Sequence, residues 1–183
     1  MSSLAMEQSA SQNSASCVSP EAFREGMAGL AGAVNIVTTV GPEGYAGFTA
    51  TAVCSVSDNP ATLLVCLNRS ASVHKVFKQA DVLAINTLRD GQDGLSNLFG
   101  GKAPMADRFS QGDWQTLTTG APVLADAAVT FDCVISEMKS VATHDVIFCQ
   151  VVAIKQQPNA GALLYHQRGY YQVAGATLAG TSE

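Results

Sequence analysis

Apolar and polar positions along this chain fall into short, turn-punctuated runs. Ala33–Val40 is β-branched and reads as a strand, and Gly41-Pro42-Glu43-Gly44 as the turn that ends it. Tyr45–Val53 follows as a second strand running into a loop. After a turn at Asp58-Asn59-Pro60, Thr62–Leu67 is a fully apolar strand. Val82–Leu88, the long run Val146–Ile154 and the short Leu163–His166 add further strands. Ala127–Met138 alternates weakly, and Gly169-Tyr170-Tyr171 closes the patterned region. Three segments carry helical spacing instead. Pro20–Met27 has Ser19 as a cap and proline at its first position. Ser70–Gln79 places Val73, Val76 and Phe77 on one face. Gln92–Phe99 is stopped by Gly100-Gly101. Strands at this spacing with a few inserted helices favour a β-barrel over an alternating βαβ sheet.

Composition narrows the class. The 183 residues are 47% hydrophobic and 14% charged, with a net charge of −5, which describes one globular domain. A charge-poor, acidic chain lacks the clustered Lys and Arg that nucleic acid needs. No apolar run is long enough for a membrane helix. The segments 1–19 and 174–183 are small and polar and read as flexible tails around a domain at 20–173. The first has neither the charged start nor the apolar middle of a secretory signal, so a cytoplasmic location is expected. Five cysteines without CxxC spacing read as reduced thiols, four of them buried in strands. Three scattered histidines offer no metal-ligand spacing.

Phosphate-loop and dinucleotide fingerprints are missing. Gly26, Gly29 and Gly32 precede the first strand, and Gly100-Gly101-Lys102 is followed by Ala103. Four segments remain as candidate chemistry. Gly47–Ser55 is rich in small residues and hydroxyls, which let a ligand approach the backbone; composition alone favours a plain Thr/Ala strand edge. Cys66-Leu67-Asn68-Arg69-Ser70-Ala71-Ser72 ends a buried strand before a helix and could hold a phosphate, or be ordinary capping. Lys102, Arg108 and Phe109 place two cations and an aromatic ring near a loop, with a solvated loop and core Phe109 as the plainer reading. His144 stands at a strand entrance, and His166, Arg168, Tyr170 and Tyr171 cluster near the end.

Taken in order, Ala33–Thr39, Gly47–Val56, Leu64–Ser70, Leu95–Gly101, Asp107–Phe109, Phe131–Cys133 and Thr143–Asp145 resemble the short-chain flavin reductases of two-component monooxygenases. The likeness runs from about Phe23 to Tyr171. It implies a split, Greek-key β-barrel that forms a homodimer, binds FMN or FAD, and oxidises NADH or NADPH to supply reduced flavin to a monooxygenase. It further implies that Asn35, Ile36, Val37 and Thr38, with Thr49, Ala50, Thr51, Ala52, Val53, Cys54 and Ser55, flank the flavin ring. Leu67, Asn68, Arg69, Ser70, Lys102 and Arg108 would lie near the ribityl chain and phosphate, and Phe109 near the flavin. His144, Tyr170 and Tyr171 would approach the nicotinamide. No catalytic carboxylate or nucleophile is called for, since hydride passes between cofactors. A pyridoxamine-phosphate-oxidase-like flavoenzyme, or a non-catalytic flavin- or haem-binding module, is the alternative on the same scaffold. The chain departs from the family pattern at Ala142, where glycine is usual; a turn demanding positive φ there would be strained.

Overall fold

The computed structural model describes residues 17–175; residues 1–16 and 176–183, which hold most of the expected tails, lie outside the described residues. In chain order the elements are α1 (Pro20–Ala28), β1 (Gly32–Ala33), β2 (Asn35–Gly41), β3 (Gly44–Ala50), β4 (Val53–Asp58), β5 (Ala61–Asn68), α2 (His74–Phe77) and β6 (Val82–Thr87). They continue with α3 (Asp93–Gly100), α4 (Met105–Phe109), β7 (Trp114–Thr116), β8 (Pro122–Leu124), β9 (Val129–Val141), β10 (His144–Gln156), β11 (Ala162–His166) and β12 (Gly169–Val173). The fold is mainly β.

Seven strands form one antiparallel sheet in the order β3-β2-β6-β9-β10-β5-β4. β3 and β4 stand at opposite edges of this sheet, yet only Thr51 and Ala52 join them. Three chain steps reach at most about 11 Å, so the sheet curls enough to bring the end of β3 beside the start of β4. β1, β11 and β12 form a three-stranded sheet, and β7 and β8 a hairpin.

β2 shows why a β-branched run was the right strand signal. Residues Asn35–Thr39 are buried on both faces. Val37 packs with Phe77, Leu83, Ile85, Val65 and Ile147 on one side. Ile36 packs with Val34, Leu88, Phe99, Leu124 and Leu163 on the other. Burying each such side chain contributes about 1.5–3 kcal/mol. α1 begins as expected, with the Ser19 hydroxyl accepting from the Ala22 N–H.

Three expectations need correction. The helix expected over Ser70–Gln79 is only His74–Phe77. The Asn68 carboxamide captures the Ser70 N–H at 2.9 Å and the Ser70 hydroxyl at 2.8 Å, a local turn that competes with helix. The strand expected over Tyr45–Val53 breaks at Thr51-Ala52, so Val53, Cys54 and Ser55 belong to β4 rather than to a loop. Between Pro104 and Leu124, where no periodicity shows, the chain folds into α4 and the β7–β8 hairpin.

The β9–β10 hairpin turns through Ala142 and Thr143, with Val141 opposite His144. Ala142 has φ 48°, the left-handed value that a two-residue hairpin demands of its first turn residue. Arg69 braces the turn, its N–H donating to the Thr143 carbonyl at 3.0 Å and its guanidinium to the Ala142 carbonyl at 3.3 Å.

Candidate active site: a cleft along the sheet seam

The segment that joins the two sheet edges is held from both sides. Asn35 donates from Nδ2 to the carbonyls of Ala33 (3.0 Å) and Ala50 (3.3 Å), while its Oδ1 accepts from Thr87 Oγ1 at 2.7 Å. Thr49 Oγ1 donates to the Ser96 carbonyl at 2.7 Å, tying β3 to α3. The Ala52 carbonyl accepts from Cys66 N at 3.1 Å, tying the segment to β5. Gly47 permits the close approach of α3: a Cβ there would lie 2.9 Å from the Phe99 ring.

Three hollows meet along this segment. One of about 510 Å³ is walled by residues 48–52, 66–68, 71–73 and 99–102, with Arg108 and His144. A second, of about 450 Å³, shares Thr49–Thr51 and Gly100-Gly101 and adds Val34, Ser96, Asn97, Tyr165 and Tyr170. A third, of about 860 Å³, crosses Thr51–Val53 toward α1, Asn35 and Arg168. The result is a long cleft with a small-residue rim and an apolar floor that includes Phe48, Leu67 and Phe99. No Asp or Glu lines any of the three hollows. Burial raises the pKa of the Cys66 thiol, which keeps it protonated and a poor nucleophile. Such a wall suits a flat, polar-edged ring whose chemistry is its own.

The structure gathers Thr49, Ala50, Thr51, Ala52, Leu67, Asn68, Lys102 and His144 at the first hollow, and Tyr170 at the second. Lys102 has no ion-pair partner among the described residues. Tyr170 Oη bonds Ser96 Oγ at 2.9 Å and Asn97 Oδ1 at 3.1 Å, and its ring stands against Tyr165.

Other expected residues play different parts. Ile36, Val37 and Thr38 are fully buried, and the Thr38 hydroxyl donates to the Ala84 and Pro122 carbonyls; they position β3 and offer a ligand no side-chain surface. Arg108 is also buried. Its Nε donates to Ala103 (2.9 Å), Nη1 to Gly47 (3.3 Å) and Phe99 (2.9 Å), and Nη2 to Gly101 (2.8 Å), every acceptor a backbone carbonyl. Four of its five N–H groups are thus committed to shaping the Gly100–Lys102 rim rather than to a phosphate. Phe109 lines none of the three hollows and packs behind the floor, against Phe99, Trp114 and Tyr45. Arg69, Ser70, Cys54 and Ser55 line none of the three hollows, and Cys54 is exposed rather than buried. Tyr171 points to the opposite face of β12 from Tyr170, beside His166, because neighbouring strand residues alternate.

Ala71 and Ser72, at the end of the candidate segment, form a wall together with Val73 because the expected helix does not start at Ser70. Sequence reasoning missed Val73, and it also missed Ser96, Asn97 and Tyr165. The Gly100-Gly101 pair, read as a helix stop and as the start of a loop carrying Lys102, was the available signal for the rim.

The model of the family described as flavin reductase like domain matches residues 27–174. This chain belongs to the flavin reductase family. Among its relatives, the Acinetobacter baylyi protein named FMN reductase (NADH) RutF is 58% identical over 153 residues, 84% of this chain and 81% of the relative. The Pseudomonas syringae protein of the same name is 55% identical over 162 residues, 88% of this chain and 91% of the relative. A Haemophilus somnus structure assigned to the flavin reductases superposes with a TM-score of 0.84 at 49% identity, over 85% of this chain and all (100%) of that one. The Streptomyces globisporus NADH:FAD oxidoreductase SgcE6 gives 0.79 at 26% identity, over 87% of this chain and 98% of that one. Among the described residues of this flavin reductase, no helix is long and apolar enough to cross a membrane.

Proposed function

We propose that this member of the flavin reductase family oxidises NADH with FMN as acceptor and releases reduced flavin to a separate monooxygenase, with FAD and NADPH as the secondary pair. The observation that carries the reading is the seam cleft itself: small-rimmed, lined by backbone, and without an acid or a reactive thiol. Flavin supplies the hydride-accepting chemistry when bound. The chain binds, orients and excludes water. Thr49–Ala52 present backbone N–H groups to the polar edge of the ring and stabilise charge that develops there. Asn68, Ser72 and Lys102 face the ribityl and phosphate end. His144 and Tyr170 border the nicotinamide and hold the two rings at reacting distance. Among the described residues on the wall of the first hollow, Arg108 is spent on backbone carbonyls and Lys102 is left as the cation for the phosphate, so phosphate affinity is modest, which suits a flavin that must leave.

The curled sheet is read as a split, Greek-key barrel spanning a domain at 20–173, and the protein as a homodimer. Support for the dimer lies in Val56, Val134, Val152 and Ile154, apolar residues exposed on β4, β9 and β10, and in α1, which buries none of its own residues. Free thiols throughout the described residues fit a cytoplasmic place.

The test is steady-state nucleotide oxidation with each of the four donor–acceptor pairs. NADH with FMN is expected to give the highest kcat/KM, and dialysis to remove the flavin. Absence of flavin-dependent oxidation with either nucleotide would falsify the reading. Flavin retained through dialysis with no transfer to added acceptor would point to an oxidase, and binding without turnover to a carrier.

A further inference from the structure

One buried carboxylate, Asp145, lies beside the cleft wall with a half-buried histidine and has no part in the chemistry above. Asp145, in β10, is 2% exposed. Its Oδ2 lies 2.6 Å from His74 Nε2, and its Oδ1 accepts from Ser140 Oγ at 2.6 Å. These two bonds hold the carboxyl below the usual carboxylate range, with Arg69 adding a smaller attraction. The group is therefore anionic at neutral pH, and His74 must present an N–H on Nε2. A carboxylate inside a sheet is costly unless paired. Ser140 sits on the adjacent strand directly opposite Asp145 and serves one oxygen. The other partner comes from 71 residues away in sequence.

What His74 is attached to gives that pairing its meaning. It is the first residue of α2 and follows directly on Ala71, Ser72 and Val73, which wall the first hollow. The segment from Asn68 to Val73 is tied to β10 at its start, by Asn68 pairing with His144 and by Arg69 N donating to the Thr143 carbonyl at 3.0 Å. At its end it is tied to β10 again, by His74 to Asp145. α2, which follows the second tie, is a helix of 4 residues with no side-chain cap; Val73 and Phe77 seat it in the core, and the His74–Asp145 bond is its polar tie to β10. His144 and Asp145 are adjacent residues facing opposite sides of β10, one on the cleft and one on the clamp.

We propose that His74 is a positioning residue for the phosphate-bearing end of the flavin: its bond to Asp145 fixes the Asn68–Val73 wall against β10. This rests on the flavin reading given above. His74 touches neither cofactor; it sets how well a preformed wall meets the ribityl phosphate. Losing it therefore affects the acceptor that carries a phosphate and spares the one that does not.

The experiment measures kcat and KM for FMN, riboflavin and NADH in the full-length wild type, His74→Leu, His74→Gln and Ser140→Ala. His74→Leu is expected to raise the KM for FMN about tenfold, equivalent to about 1.4 kcal/mol. The KM for riboflavin and for NADH, and kcat, should stay within about twofold. His74→Gln, whose amide can reach Asp145, should restore the FMN value. Ser140→Ala, which leaves the His74 bond in place, should cost stability without splitting FMN from riboflavin. If His74→Leu does not fold, Asp145→Asn keeps the shape, weakens the charge-assisted bond and should show the same split at about threefold. Equal rises for FMN and riboflavin, an unchanged FMN value, or a wild type that does not distinguish the two acceptors overturns the proposal. A wild type without turnover on any flavin overturns the functional reading first and the proposal with it.

Discussion

Replacing Ala142 with glycine should make this protein more stable, against the usual direction for that exchange. Ala142 sits at φ 48° in the β9–β10 turn and is exposed, so its methyl group contributes little burial. Holding a Cβ in the left-handed region costs about 1–2 kcal/mol. Glycine removes that cost but widens the unfolded ensemble, which returns about 0.4–1 kcal/mol. The difference is a net gain of about 0.5–1 kcal/mol, or a Tm rise of about 1–4 °C in a chain of this size. The bonds from Arg69 to the Ala142 and Thr143 carbonyls use backbone acceptors and survive the change. Urea and thermal unfolding at matched protein concentration read the effect. Ala22→Gly, in the exposed first turn of α1, is the control and should destabilise, since glycine is a poor helix former. An Ala142→Gly protein that melts lower than wild type, or shifts in the same direction as the control, refutes the argument from backbone strain.

Two further outcomes follow from the site. Arg108→Ala should lower stability by about 3 kcal/mol, because buried carbonyls left without donors cost about 1–3 kcal/mol each; Arg108→Lys should recover little, an ammonium being unable to span four acceptors. Lys102→Ala should leave the melting point within about 1 °C while raising the KM for FMN, so a stability loss at Lys102 with none at Arg108 would reverse the roles assigned here. The second outcome concerns acid. Asp145 titrates lower when folded than the ordinary carboxyl does, so its contribution is complete above about pH 4 and is lost as pH falls below that. Chemical denaturation from pH 7 to pH 3 should show the stability gap between wild type and Asp145→Asn closing in the acid range; a gap that is constant or widens there contradicts the assignment.

How far the sequence carried depends on what each residue's role requires. β2, β5, β6 and β10 were legible because apolar and β-branched residues dominate them, although only β2 and β6 are buried on both faces along most of their length while β5 and β10 alternate. The Ser19-Pro20 start of α1 was legible because capping is a local event. Ala142 was legible as a departure from a family pattern, and its positive φ bears out the strain it implied. Arg108 was not, since a basic residue in a loop reads as a ligand contact until the fold brings four carbonyls round it. Ser70 misled because Asn68, two residues earlier, competes for the N–H that a helix cap would leave free. Tyr170 and Tyr171 look equivalent in sequence, and only strand alternation separates them. His74 and Asp145, 71 residues apart, carried no signal of their pairing.

The two-residue link between the outer strands also limits how the protein can be improved. Elsewhere in the sheet, an added backbone hydrogen bond or a tighter side chain is pure gain for the folded state. On the proposed function, the same change at Thr51-Ala52 would narrow the cleft that takes the flavin. Selection for heat resistance should therefore accumulate substitutions everywhere but here, and a library screened only for melting temperature should lose turnover through mutations concentrated at this gap. The protein's least finished stretch of sheet is the one that cannot be finished.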